Sequence, residues 1–480
     1  MPTRPALAAD VLARLGDWPR SLGVLAVLVG LTAVVCLVYW PGQINDDTIG
    51  IYEYARRGLP NNDWHSAFYT AMWRVFIVAG LRSLGWALAA GVLILLVGLY
   101  LVLRARLSRP AALLGAAAVF AFPPVLGFGV ALGTDAWFAA SILAAFGFVL
   151  RAARTSGPSR TISAVLAVAL AYLAVAARPT SLPAAVLVVA ALAVVMLQDR
   201  LGGWRRLLRA GIAGVAGGLL LYGSNLGLTR FVMHADQVHP EQETYKYDLV
   251  LMSVQTHQVL LPREFYQRQD VAYLAAHSDP TSVDQLLWGW YASIPPFVQG
   301  SQFDTLQRAW LSAIRHHPAD YLRTRLNMAL WQLTIAAPPQ WVFLGSPAAY
   351  NLPPPNPALY AAAQAYMAVG TSGPMPGAVG SPLQRVWIYL LVLLGVVVLA
   401  LRSRRRIDVV LALLAAALLL YTAEVLVAAP IVTYRYMYPA VVVGTVLFLL
   451  LAAGAATSLA RLAQARLSTM LQYGTSSSSS

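Results

Sequence analysis

Long apolar runs separated by short polar turns dominate the hydropathy pattern. A helix needs about 20 mostly apolar residues to cross a bilayer. Ten stretches qualify, near 21–40, 83–103, 111–132, 135–151, 161–177, 180–198, 210–229, 383–401, 407–428 and 437–459. The pattern predicts an all-α polytopic membrane protein of about ten transmembrane helices. The first stretch is read as an uncleaved signal anchor, because its apolar run ends in Trp40-Pro41 and not in a small-residue cleavage site.

Two polar segments are too long to be simple connectors. Residues 41–82 form a long first loop, in which Asp47 or Thr48 is placed to cap a short helix running to Arg57. Residues 230–382 are expected to form a mainly helical loop domain. Within it Leu322, Leu326, Leu330 and Leu333 recur on one face between Pro318 and Ile335, the stripe of a helix that lies on the membrane or caps the bundle. The stretch 337–382, rich in Pro and Gly, reads as loop. The chain is thus divided into 1–229 with about seven spans, the 230–382 domain, 383–460 with about three spans, and a low-complexity tail at 461–480.

Composition supports this reading. Of the residues 59% are hydrophobic and only 11% charged, where soluble domains carry about 25% charged residues. A single cysteine, Cys36, excludes intrachain disulfides and paired-cysteine metal sites. The formal net charge of +14 admits a nucleic-acid partner in principle, but its distribution argues otherwise. With the N-terminus in the cytoplasm and ten crossings, the inner segments carry +15 and the outer segments −1. This is the positive-inside bias of a membrane protein with both termini cytoplasmic, so the charge reports orientation and no nucleic acid is expected. High Ala, Val and Arg with a single lysine point to a bacterial source, and so to a bacterial plasma membrane.

Reactive side chains gather on the outer side, which holds all seven histidines and 16 of the 20 acids, counting Glu424 near the end of its span. The densest cluster is the first loop, with Asn45, Asp46, Asp47 and Thr48, then Tyr52, Glu53, Arg56 and Arg57, then Asp63, Trp64 and His65. Two adjacent carboxylates disfavour each other's ionisation, which suits one of them to act as a base or to hold a metal; a solvated, helix-capping loop is the plainer alternative. A lipid transporter or flippase would spread polar groups along its spans, and most spans here are apolar throughout.

The run WPGQINDDTIGIYEYARRG, followed by NDWHSAFYTAMWRV, resembles the first periplasmic loop of the GT-C glycosyltransferases, multi-span enzymes that take sugars from polyprenyl-phosphate donors and include aminoarabinose transferases and protein O-mannosyltransferases. In that superfamily an acid just after the first span is catalytic. Asp63-Trp64-His65-Ser66-Ala67 is similar to a following D-x-H-P-P element, without its prolines. Gly133-Thr134-Asp135-Ala136-Trp137 falls where the family has a second functional acid. Ala177-Arg178-Pro179-Thr180 resembles its Arg-containing turn, and Tyr434-Arg435-Tyr436-Met437-Tyr438-Pro439 its R-Y-x-x-P element opening the last span.

The resemblance implies an inverting transferase that moves a sugar from a polyprenyl phosphate to a glycan, glycolipid or protein acceptor at the outer membrane surface. It implies Asp47 as the base, with Asp46 as the alternative. Asp135 is read as a second site carboxylate or as a plain helix cap. Arg435 and then Arg178 are expected to clamp phosphate, with headgroup-layer anchoring the alternative. Tyr434, Tyr436 and His65 would line the substrate. Glu424 would face the cavity or pair with an arginine. No cofactor is required by these residues, although a divalent metal at Asp47 and His65 is compatible with the family.

Overall fold

The computed structural model describes residues 4–59, 62–197, 203–266, 270–278, 281–336, 351–368, 382–403 and 405–476. The chain begins with α1 (Arg4–Tyr39), followed by two short helices, α2 (Asp46–Arg57) and α3 (Ala67–Val78). The bundle continues through α4 (Gly85–Leu103), α5 (Arg109–Ala121), α6 (Pro123–Gly129), α7 (Thr134–Ala152), α8 (Gly157–Ala177), α9 (Leu182–Met196) and α10 (Gly203–Gly227). A polar block follows, with α11 (Gln242–Thr256), α12 (Val271–His277), α13 (Asp284–Leu287), α14 (Ser301–His316), α15 (Pro318–Gln332) and α16 (Pro357–Ala368). The last three helices, α17 (Val386–Arg402), α18 (Arg406–Ala428) and α19 (Tyr434–Ser476), return to the bundle.

Among the described residues the protein is helical without strands, and eight helices are long and apolar enough to cross a membrane. It is an α-helical membrane protein. The other two apolar stretches behave differently from a straight long span. The run 111–132 is split into α5 and α6, which meet at 77°. Phe122 precedes Pro123 and takes an extended backbone (φ −62°, ψ 124°), because the proline ring disfavours the helical conformation of the residue before it. The run 383–401 forms α17, an apolar helix of 17 residues.

Helix α7 is the axis of the bundle, with 83% of its apolar window buried against 17% for α1. Small residues set its closest approach. A Cβ at Gly98 would lie 2.8 Å from the Ala144 backbone nitrogen, so the backbones of α4 and α7 are in contact. The helices alternate so that the arginine-rich turns share one end. There Arg106 pairs with Asp408, Arg154 donates to the Ala105 carbonyl at 3.0 Å, and Arg160 donates to the Val195 carbonyl at 2.6 Å.

The opposite end carries the first loop and α11–α15. Lys246, the only lysine, is fully buried there and donates to Gln242 Oε1 (2.7 Å) and to the Pro295 and Pro296 carbonyls (both 2.8 Å). In α15 the expected leucine stripe is present but faces outward: Leu322 and Leu326 are exposed, while Thr324, Arg325, Met328 and Gln332 are buried. Part of the expected loop 337–382 is helix α16, where Asn356 Oδ1 accepts from the Leu359 amide at 3.0 Å. Its Tyr360 ring packs edge-on against Tyr39 of α1, at 6.0 Å between centroids. Residues 337–350 and 369–381 of that stretch lie outside the described residues.

Candidate functional site

The first loop is fastened to the turn before α7 by its own backbone. Gly42 adopts φ +116°, which L side chains rarely reach, and a Cβ there would meet Leu132 at 2.8 Å. The next residue, Gln43, then donates its amide to the Val130 carbonyl (2.9 Å) and accepts from the Leu132 amide (3.0 Å). Tyr69 of α3 donates to the Leu132 carbonyl at 2.5 Å, from beneath. These bonds bring the start of α2 beside the start of α7.

Asn45 is the cap of α2, in place of the expected Asp47 or Thr48. Its Oδ1 accepts from the Thr48 amide (2.9 Å) and the Thr48 hydroxyl (2.6 Å). The amide side chain satisfies the free helix N–H, which releases Asp47 from that task. At the Asp135 position the cap is Gly133, and Asp135 stands in the first turn of α7 with its carboxylate directed at arginines.

The segment between α18 and α19 is held from four sides, and it leads directly into Arg435. Thr244 donates to the Ala428 carbonyl (2.6 Å), and Arg325 to the Ala429 carbonyl (2.7 Å). The Val432 amide donates to the Thr281 carbonyl (2.7 Å). Gln332 grips Thr433 twice, accepting from its amide (3.0 Å) and donating to its carbonyl (2.6 Å).

Asp47, His65, Asp135 and Arg435 thereby line one cleft, together with Asn45, Thr48, Ile51 and Phe128. It opens to solvent, and its cavity is small, about 40 Å³. Three charges, Asp47, Arg435 and Asp135, alternate along it, and Arg178 stands behind the last. Arg435 Nη1 lies 2.5 Å from Asp47 Oδ2, and Arg435 Nε lies 3.9 Å from Asp135 Oδ2. Asp135 in turn pairs with Arg178. The Tyr436 ring lies under both guanidiniums, at 4.4 Å from Arg178 and 5.2 Å from Arg435.

Asp47 sits in a dense surround yet keeps 44% of its side-chain surface open. Burial pushes its carboxyl up, but the charges of Arg435, His65 and Arg178 and the Arg435 hydrogen bond outweigh burial and hold it below the ordinary value. His65 is pushed down, by burial first and by Arg435, against the opposing pull of Asp47. The site therefore pairs an Asp47 carboxyl held low by its cationic neighbours with a His65 imidazole pushed below its ordinary value.

The other sequence candidates are placed less centrally. Tyr434 is buried against Phe128 (5.8 Å between centroids) and does not line the cleft. Glu424 lies in α18, within electrostatic reach of Arg178 but away from the lining. The Asp46 side chain lies outside the described residues. Sequence reasoning missed Glu243, in the first turn of α11. Its carboxyl is raised to about 7 by burial, then by the charges of Asp284 and Asp47, so it stands close enough to the cleft to feel the candidate base. Its signal in the sequence was weak, one of three acids (Glu241, Glu243 and Asp248) in a polar stretch 196 residues away from Asp47.

Among the described residues no three His, Cys, Asp or Glu side chains converge on a point where a metal could sit. Both described site carboxylates already face guanidiniums, which compete with a cation for the same oxygens. The described residues do not fit a divalent ion. No family model matches the chain, and neither curated proteins nor solved structures show a significant match.

Proposed function

We propose that the chain is an inverting glycosyltransferase of the GT-C type, moving a sugar from a polyprenyl-phosphate donor to an envelope acceptor. The observation that carries this reading is the alternating chain Asp47–Arg435–Asp135–Arg178 at the mouth of an apolar bundle. Transfer from a lipid phosphate needs a base for the acceptor hydroxyl and cations for the departing phosphate, and both lie within one cleft.

In the reaction the acceptor oxygen attacks the anomeric carbon from the face opposite the phosphate. The bond from that carbon to the phosphate oxygen breaks, and the hydroxyl proton passes to Asp47. Arg435 takes the phosphate, with Arg178 behind it, since guanidinium binds phosphate oxygens in pairs. Arg435 has to loosen its hold on Asp47 to do so. Losing that partner raises the basicity of Asp47 at the moment the donor arrives, which ties proton removal to donor binding. Asp135 keeps both guanidiniums in place.

The site end of the bundle would face the periplasm of a bacterial inner membrane, with the arginine-rich end and both termini in the cytoplasm. Polyprenyl chains would lie against the apolar helices, and the phosphate at the level of the helix ends.

The test is release of polyprenyl phosphate from sugar-loaded donors by the full chain in proteoliposomes. Asp47→Asn is expected to lower the rate by about 10²- to 10⁴-fold, the usual weight of a general base. Unchanged turnover in Asp47→Asn and in the Asp46→Asn, Asp47→Asn double variant would remove the proposal.

A further inference from the structure

Beside the cleft stands an aromatic group that the chemistry above does not use. Trp64 meets Phe297 edge-to-face at 4.7 Å and Trp288 at 5.8 Å, and Trp288 meets Phe297 at 5.1 Å. Trp288 and Phe297 remain 48% and 43% exposed. Three large rings in mutual contact and open to solvent bury each other incompletely, the signature of a binding surface.

The group is rigid and continuous with the cleft. Trp64 immediately precedes His65, which lines the cleft. The turn bearing Trp288 and Phe297 is locked to α11, because Gln242 accepts from the Val298 amide (2.8 Å) and Lys246 holds the Pro295 and Pro296 carbonyls. The Trp288 amide donates to the Asp284 carbonyl at 2.7 Å, which sets the indole one turn from the Asp284 carboxylate. Asp284 and Asp47 both act on Glu243, so acidic groups lead from the aromatic group back to the candidate base.

We propose that Trp64, Trp288 and Phe297 form the acceptor subsite of the cleft, and that the acceptor is a saccharide. This deepens the transferase reading and rests on it. The C–H face of a sugar ring is apolar and slightly positive, and it stacks on the negative face of an indole. Its hydroxyls donate to carboxylates such as Glu243 and Asp284. The Asp284 carboxylate, one turn from Trp288, repels anionic lipid headgroups, which counts against a role for these rings as a membrane anchor. A sugar stacked here would present a hydroxyl toward Asp47.

The experiment is saturation-transfer NMR on the full chain in detergent micelles, without donor. The probes are tetrasaccharides of mannose, glucose, galactose, N-acetylglucosamine and arabinose, a Ser/Thr peptide, and vesicles containing phosphatidylglycerol. The expected result is saturation of ring C–H protons in at least one saccharide. Binding should weaken about tenfold in Trp64→Ala and in Trp288→Ala. Trp288→Phe, which keeps a ring, should retain most of the binding and so separates stacking from loss of fold.

The proposal is overturned if no saccharide is saturated, if both alanine variants bind as the wild type does, or if only the peptide or the vesicles bind. Saccharide binding without any transfer would fault the transferase reading alone. Transfer indifferent to both tryptophans would fault the subsite alone.

Discussion

Two aspartate–arginine pairs stand at the same end of the bundle and behave in opposite ways. Asp47 and Arg435 meet at 2.5 Å with 44% and 26% of their side chains exposed. Asp248 and Arg325 meet at 2.7 Å with 0% and 8% exposed. Burial is the largest influence on both acids. At Asp248 it wins over Arg325 and the Trp310 hydrogen bond, and the carboxyl is raised. At Asp47 the charges of Arg435, His65 and Arg178 together win, and the carboxyl is lowered. One pair is sealed and serves the fold. The other is open to solvent and surrounded by positive charge.

Removing one member from each pair should produce the largest contrast. Asp248→Asn leaves the Arg325 guanidinium buried without its counter-charge, which costs about 3–5 kcal/mol. The effect should spread, because Arg325 also holds the Ala429 carbonyl at the base of the segment carrying Arg435. Asp47→Asn removes an open carboxylate and should change stability by no more than about 0.5 kcal/mol. Denaturant unfolding of both variants in the same detergent makes the comparison. Equal losses would show that the two pairs play the same structural part.

Glu243 lies on α11 with Asp248 but looks toward the Asp47 pair, so it links the two regions by charge. Its carboxyl is raised from 4.5 to about 7, meaning that the folded state holds this proton more tightly than the unfolded chain does. The associated stability is present in full below pH 4.5 and is lost as pH rises toward about 7. Asp47, lowered by its partners, contributes in the opposite sense: its stability is present above its ordinary value of 3.8 and disappears as pH falls. Thermal unfolding of Glu243→Gln against wild type should therefore show the variant gaining relative stability as pH rises from 4.5 to about 7. Parallel curves across that range would show that neither burial nor the neighbouring acids raise the Glu243 carboxyl.

Much of this arrangement was legible in the chain, for identifiable reasons. Hydropathy reads length and apolarity, so it found the helices around α7, but it is blind to direction and passed straight through the bend at Phe122–Pro123. The two prolines at 123 and 124 were the available sign. Asp47, His65, Asp135, Arg178 and Arg435 were visible because each stands at the polar edge of an apolar run. Tyr434 and Tyr436 look equivalent in sequence, yet two residues on a helix point about 200° apart: Tyr436 lies against the guanidiniums and Tyr434 packs on Phe128. Glu243 and the Trp288–Phe297 turn were illegible because their roles depend on how α11 docks, through Lys246 and Gln242, and no local pattern encodes that contact.

A modest effect on stability tests whether local capping governs the open pair. Asn45→Ala removes the acceptor for the Thr48 amide and hydroxyl, a loss of about 1 kcal/mol in the first turn of α2. Asp47 is in that turn. A displacement there of the order of 1 Å is enough to lower a positioned reaction by about 100-fold, so turnover should fall far more than stability does. Asn45→Ser keeps a capping oxygen and should restore both. A variant that loses its cap, melts slightly earlier and still turns over donor at the wild-type rate would show that Asp47 is aimed by Arg435 and not by α2. The pairing would then be the device that orients the acid, and Arg435→Lys, which keeps the charge but loses the planar fork, would become the more damaging change.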